Sequence, residues 1–342
     1  MIGLLHPLPG LAAPDLIPSE HPLDRVTDEG CGAVGPAELD LPARTFEGDF
    51  DAGTAGFAVK IRDDVIPYRL MSFFVLPGET VELEAILAVR ASRFEACAQG
   101  GTLERLRPDR WKWTAPKVRG KTTLHLTDTF TGESMILRAF VLVPYDGERR
   151  VDGYRMGDYQ KVPLHDNPVY NVPRGLLRVE ADMLDLWLSP HFQLRQFLCK
   201  QESGFPKYVI VRERMLLKLE LLLEKANEGG IEALTFAVLS GFRTPHYNIS
   251  IGNRTKYSRH TYGDAADIYV DEDDDGRMDD LDGDGRSDYR DAKKLARIIE
   301  DNFDATWYQP FIGGLGIYGP KPHRGSFVHV DTRGFRARWN QP

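Results

Sequence analysis

The chain has 342 residues, enough for two domains, and its 42% hydrophobic and 27% charged content is that of an ordinary globular protein. The net charge is −8, nothing basic enough to suggest nucleic-acid binding appears, and no apolar run reaches the roughly 18 residues that a membrane span needs. Much of the acid is gathered between Asp271 and Asp291, so the overall charge says little about partners.

Residues 1–45 are rich in Pro, Gly and Ala, lack periodicity and read as an extended leader. The opening "MIGLLHPLPGLAAPDLIP" has a short apolar stretch and a small-residue "LAA". It lacks a basic segment and is broken by prolines, which makes it a weak or trimmed export signal. Cys31, Cys97 and Cys199 are odd in number and far apart, the pattern of isolated buried thiols rather than of a disulfide framework or a Cys-based zinc site.

Residues 46–146 carry short β-type runs. "GFAVKI", "RLMSFFVLPG", "TVELEAILAV", "KTTLHLTD" and "SMILRAFVLVP" alternate or are β-branched, and Gly or Pro separates them. This spacing predicts an all-β, Ig-like sandwich without a cluster of catalytic residue types. Residues 147–185 are polar and turn-rich and read as a linker. The second domain, 186–342, opens with "SPHFQLRQFLC", whose Ser189-Pro190 pair predicts a helix start. "KYVIVRERMLLKLELLLEKANEGG" spaces its leucines as a helix does and stops at Gly229-Gly230. "ALTFAVLSGFRTPHYN" reads as a buried strand running into a turn.

"SRHTYGDAADIYVD" (258–271) then sets His260 and Asp267 with six residues between them in a frame of small residues. A catalytic zinc takes three protein ligands of His or carboxylate type and keeps one position open. Near the C-terminus "GSFVHVDTRG" puts Phe327, His329 and Asp331 on one strand face. If that strand pairs beside Ala265–Val270, His329 completes a set with His260 and Asp267.

The stretches "SGFRTPHYN", "SRHTYGDAADI" and "FVHVDTRG" resemble the M15 zinc peptidases. That group includes D-Ala-D-Ala carboxypeptidases and murein endopeptidases and shares its fold with the Hedgehog signalling domain. The family pattern falls on Ser258, His260, Asp267 and His329, and the resemblance covers roughly Ser189 to Trp339. It implies an α+β zinc peptidase domain of the Hedgehog/DD-peptidase type, hydrolysing peptide bonds of peptidoglycan stem or cross-link peptides in the periplasm or outside the cell. Arg243 would stabilise the oxyanion or hold a substrate carboxylate. The β-rich half resembles the accessory domain that precedes some of these peptidases. The family's general base, a Glu, Asp or His two to six residues before the last ligand, finds only His323 in the window "HRGSFV"; Asp264 is the reserve. The missing acid leaves an alternative: an inactive, zinc- and calcium-bearing cell-wall-binding module. The bond cleaved (DD or LD, exo or endo) and the oligomeric state stay open.

The run "DEDDDGRMDDLDGDGRSDYRD" follows directly. Counted from Asp280, carboxylates stand at loop positions 1, 3, 5, 9 and 12 (Asp280, Asp282, Asp284, Asp288, Asp291) with Gly285 at position 6, a calcium-loop spacing. The last position is Asp where Glu is usual. A second register starts at Asp271 with Asp273, Asp275, Gly276, Asp279 and Asp282; sharing Asp282, the two cannot both be standard loops. An amphipathic helix, "DAKKLARIIEDNF", comes next, and calcium would be structural, fixing that helix beside the zinc ligands.

Overall fold

Thr80–Ile86 and Gly120–Asp128 bury every second side chain, as the two-residue period of a pleated strand requires. In the computed structural model, which describes residues 25–26, 50–86 and 92–342, these strands lie in a six-stranded and a four-stranded sheet respectively. Phe73 of one sheet meets Trp113 of the other edge to face at 5.7 Å, with Trp111, Leu124 and Leu126 buried around them. The first half is therefore the all-β sandwich expected from its alternation. "TVELEAILAV" is strand as far as Ile86, and 87–91 lie outside the described residues. So does the expected leader, Cys31 included, apart from Arg25–Val26, which pairs with Thr102–Arg107. Cys97 is disulfide-bonded, which corrects the isolated-thiol expectation there; Cys199 is free and buried.

The segment 147–185 is no free tether. Gly175–Val179 pairs with Val143–Pro144 on one side and Lys207–Val209 on the other. Tyr159 donates its hydroxyl to the Thr261 carbonyl at 2.9 Å, and Tyr170 packs against Tyr262 with the Arg259 guanidinium 4.2 Å above its ring. Its polar residues face solvent while its tyrosines join the second half, a division that composition alone hides.

The second half is built on a five-stranded sheet in the order Ala237–Ser240, Ala265–Tyr269, Phe327–Asp331, Gly314–Tyr318, Ala337–Gln341. Neighbours run antiparallel except the last pair. Helix α1 (Glu213–Glu228) buries Met215, Leu216, Leu219, Leu222 and Leu223, the stripe read from the sequence. Short α2 (Pro245–Ser250) starts at a Thr244 cap, and α3 (Tyr289–Asp301) buries Leu295, Ala296 and Ile299. "SPHFQLRQFLC" is not an α-helix and forms only a 3₁₀ turn, Leu194–Phe197. Leu188 N–H closes on the Phe192 carbonyl and His191 N–H on the Glu220 carboxylate, so tertiary partners take the backbone groups a helix would need. No helix among the described residues is long and apolar enough to cross a membrane.

The halves share one hydrophobic cluster. Glu213, at the start of α1, accepts from Arg62 at 3.0 Å and from the Phe74 backbone at 2.9 Å, and Arg214 reaches Asp64 at 2.8 Å. Further along α1, buried Lys218 donates to the Phe311 and Asp331 carbonyls at 2.9 and 2.8 Å. It thereby ties the helix to the end of the Phe327–Asp331 strand.

Burial lowers the Lys218 pKa to about 7. Its folded pKa lies below its unfolded one, so the folded chain binds fewer protons between them and stability rises with pH over that window. The penalty of charging Lys218 is complete below about pH 7 and relieved towards the ordinary lysine range. Between pH 7 and 9 the urea midpoint of the wild type should therefore rise relative to that of Lys218→Met. Parallel midpoints would show that Lys218 stays charged.

Candidate metal centre

Asp267 and His329 stand directly opposite each other in the antiparallel pair formed by Ala265–Tyr269 and Phe327–Asp331. Side chains that are opposite in register project to the same face. His260 arrives from the 3₁₀ turn Arg259–Tyr262, which Gly263 ends at φ 74°, a left-handed conformation in which a Cβ would lie 2.4 Å from the Ile210 carbonyl. A ladder of two bonds holds the turn: the Arg243 N–H donates to the His260 carbonyl, and the His260 ring donates to the Gly241 carbonyl.

The three expected ligands converge. His329 Nδ1 is 2.9 Å from Asp267 Oδ1 and 3.1 Å from His260 Nε2, and His260 Nε2 is 3.2 Å from Asp267 Oδ1. All three residues are buried. Each outer atom has its own partner. His260 Nδ1 lies 2.8 Å from the Gly241 oxygen, which can only accept, so Nδ1 carries the proton and Nε2 is bare. His329 Nε2 lies 3.0 Å from Asp331 Oδ2 and its Nδ1 2.9 Å from Asp267 Oδ1, so a carboxylate oxygen faces each ring nitrogen. The second oxygen of Asp267 accepts from Arg243. A cation bound among these three atoms would replace the proton that His329 Nδ1 can share with Asp267. Ligands about 2.0–2.1 Å from a tetrahedral zinc stand roughly 3.3 Å apart, close to the separations here.

The titration of these groups follows from the same contacts. Burial lowers His260 to about 4, which keeps its imidazole neutral. His329 is raised despite burial, because the Asp267 and Asp331 carboxylates bracket its ring. Asp267 and Asp331, though buried, are held well below the usual carboxylate range by their histidine and arginine partners. Asp331 is fixed in turn by the Arg333 guanidinium and the Gly314 N–H. This Asp–His–ligand relay was missed in reading the sequence for ligands alone; the alternation in "HVD" that puts His329 and Asp331 on one face is its signal.

The ligands line a cleft of about 700 Å³ whose wall includes Tyr257, Tyr318, Phe327 and Trp339. Trp339 crosses Gly316, where a Cβ would meet its ring at 2.3 Å, and lies 5.1 Å from the His329 ring. A larger cleft of about 900 Å³, between the 150–155 hairpin, residues 200–206 and α2, contains none of the ligand residues.

The other expected site residues are distributed differently. Arg243 lines the cleft, but its guanidinium is engaged by Asp267 and Ser240, so it positions the Asp267 carboxylate. His323 sits exposed in the Lys321–Arg324 turn and does not line the cleft. Asp264, the reserve base, is buried in a two-point ion pair with Arg259 and is likewise off the cleft.

In the acidic run, Asp280, Asp282 and Asp291 bring carboxylate oxygens together, and Asp271, Asp273 and Asp279 form a second group that does not use Asp282. The two registers therefore do not compete for Asp282. Backbone N–H groups of Gly283, Asp284 and Gly285 point at Asp280, and those of Asp275 and Gly276 at Asp271, the inward curl of a cation loop. Two expected ligands are diverted: Asp284 pairs with Arg290 at 2.9 Å, and Asp288 caps α3 by accepting from the Arg290 N–H. Asp291 is buried and accepts from the Leu281, Asp282 and Asp288 backbones, joining this loop to α3.

Comparison with protein-family models finds no match, and comparison with curated proteins finds none. Among solved structures the chain is similar to the fibronectin(III)-like modules of Clostridium thermocellum CbhA. The identity is 15%, 24% of this chain and 94% of that chain are covered, and the TM-score is 0.17.

His260→Ala or His329→Ala should abolish tight zinc binding by elemental analysis. Asp331→Asn, which leaves every ligand in place, should weaken zinc binding by about 10- to 100-fold in a competition titration with a chelating dye. Full zinc affinity in Asp331→Asn would make the aspartate a packing residue only.

The clustered acids repel one another unless a cation lies between them. Millimolar calcium should raise the melting temperature relative to chelator, with an affinity on the order of 10⁻⁴ M. Asp280→Asn combined with Asp282→Asn should remove most of that rise and leave zinc content unchanged. Equal melting temperatures in calcium and chelator would leave the run as a solvated loop.

Proposed function

We propose that this chain is a zinc metallopeptidase that hydrolyses peptide bonds of peptidoglycan stem or cross-link peptides. The observation that carries the reading is the mutual approach of one atom each from His260, Asp267 and His329, each residue with its outer atom tied down, in an open cleft. A zinc ion held by His260, Asp267 and His329 would supply Lewis-acid polarisation of the scissile carbonyl and a water of lowered pKa. The chain's own contribution is preorganisation. Gly241 and Asp331 hold the two imidazoles in the tautomers that expose the correct nitrogen, and Arg243 keeps Asp267 anionic. The aromatic wall would carry the stem peptide past the ligands.

The Cys97 disulfide supports a periplasmic or extracellular setting, since disulfides persist in oxidising compartments. Calcium in the acidic loops would be structural, and the β-sandwich would serve as the accessory domain.

One observation favours the second reading, an inactive zinc- and calcium-bearing module that binds the cell wall. Beyond the ligands themselves, no Asp, Glu or His lines the cleft among the described residues, so it lacks an evident general base.

Incubation of the full chain with purified muropeptides, followed by mass spectrometry, decides between the two. Peptide-bond cleavage should be lost with chelator, restored by zinc and absent in His329→Ala. Intact muropeptides alongside one full equivalent of bound zinc would establish the binding module instead.

A further inference from the structure

The cleft carries five cations and one carboxylate. Arg243, Arg259, Lys321, Arg324 and Arg333 line it, opposed only by Asp267. Three of these cations are already neutralised: Arg243 by Asp267, Arg259 by Asp264 and Arg333 by Asp331. Among the described residues, Lys321 and Arg324 have no carboxylate partner.

Lys321 is an exposed, flexible ammonium, whereas Arg324 is built in. Its Nη1 donates to the Gly319 and Gly325 carbonyls at 2.8 and 3.1 Å. Its guanidinium lies 4.5 Å from the Phe327 ring centre and 5.8 Å from that of Tyr318. Those two rings are themselves stacked at 4.4 Å, and they belong to residues paired in register. The charge thus rests on a two-ring shelf, with Nε and Nη2 free of hydrogen bonds to described residues. This fork suits a carboxylate, which accepts two parallel N–H bonds.

Phe327 shares a strand face with His329, one two-residue repeat or about 7 Å away. An extended peptide advances about 3.3–3.6 Å per residue. With the Arg324 guanidinium 4.5 Å from the Phe327 ring, a carboxylate at Arg324 falls within a few residues of a carbonyl at the ligand group.

Resting on the peptidase reading of the cleft, we infer that Arg324, rather than Arg243, anchors a carboxylate of the substrate, within a few residues of the bond that is cut. Arg324 is then a specificity-determining residue, and the peptides accepted are those that carry a free α-carboxylate or an acidic side chain at that distance.

The test is calorimetric binding of three N-acetylated D-alanine tripeptides to the full chain, with and without one equivalent of zinc. One peptide ends in a free carboxylate, one in an amide, and one in an amide with a glutamate side chain at the last position. The wild type should bind the acid at least tenfold more tightly than the plain amide. Arg324→Gln should bring that ratio near one, and Arg324→Lys should keep part of it, with melting temperature and zinc content unchanged in both. Tight binding of the glutamate amide would support the assignment and identify the side-chain carboxylate as a source. An acid-to-amide ratio that survives in Arg324→Gln overturns it, as would equal or undetectable binding of all three peptides by the wild type. Arg324-dependent acid preference in a chain that leaves muropeptides intact would refute the peptidase reading and leave Arg324 as the carboxylate anchor of a binding cleft.

Discussion

One antiparallel register, Asp267 opposite His329, is the constraint on which the rest of the centre depends. A slip of a single residue between the two strands would put these side chains on opposite faces of the sheet. The register is held by what lies on that other face, where Ile268, Val328 and Val330 are all buried in the core. Hydrophobic burial thus sets the geometry of the polar group. Desolvation in turn strengthens the attraction of this group for a cation, because charge is poorly screened away from water.

Around that pair the structure divides charge in a consistent way. Buried acids are answered one to one: Asp267 by Arg243, Asp264 by Arg259, Asp331 by Arg333. Such pairing is what burial of a charge demands, since a carboxylate without a partner would take up a proton instead. Only towards the mouth of the cleft do cations outnumber acids, and there Arg324 is held by carbonyls and rings rather than by a countercharge. Lys218 extends the same network behind the sheet, where its ammonium meets the Asp331 carbonyl and couples α1 to the strand that carries His329.

The acidic run leaves the sheet immediately after the Ala265–Tyr269 strand and ends in α3. Asp291 has a double duty, belonging to one of the two carboxylate groups and accepting three backbone N–H bonds at the start of the helix. Any cation bound there would act on the position of α3, whose Leu295 and Ile299 pack in the core shared with the sheet. The segment 143–179 links the halves in a comparable manner through strand pairing and its tyrosines, so the β-sandwich and the mixed sheet do not hang from a flexible tether.

What the sequence determined by itself was local. Two-residue alternation specified the strands of the sandwich and the leucine stripe specified α1, because each is a pattern of side-chain direction along a short stretch of chain, while His260, Asp267 and His329 were legible as candidates that strand pairing would have to bring together. The alternation in "HVD" also held the Asp331 relay in plain view. The tertiary structure alone decided which groups meet from distant segments. It placed Arg243 against Asp267, withdrew Asp264 into a pair with Arg259, left His323 exposed, diverted Asp284 and Asp288 from the acidic group, and turned "SPHFQLRQFLC" away from a helix. Those outcomes depend on competition among many partners for each charge and each backbone donor. Such a competition is settled by three-dimensional proximity and burial, which no spacing along one segment encodes.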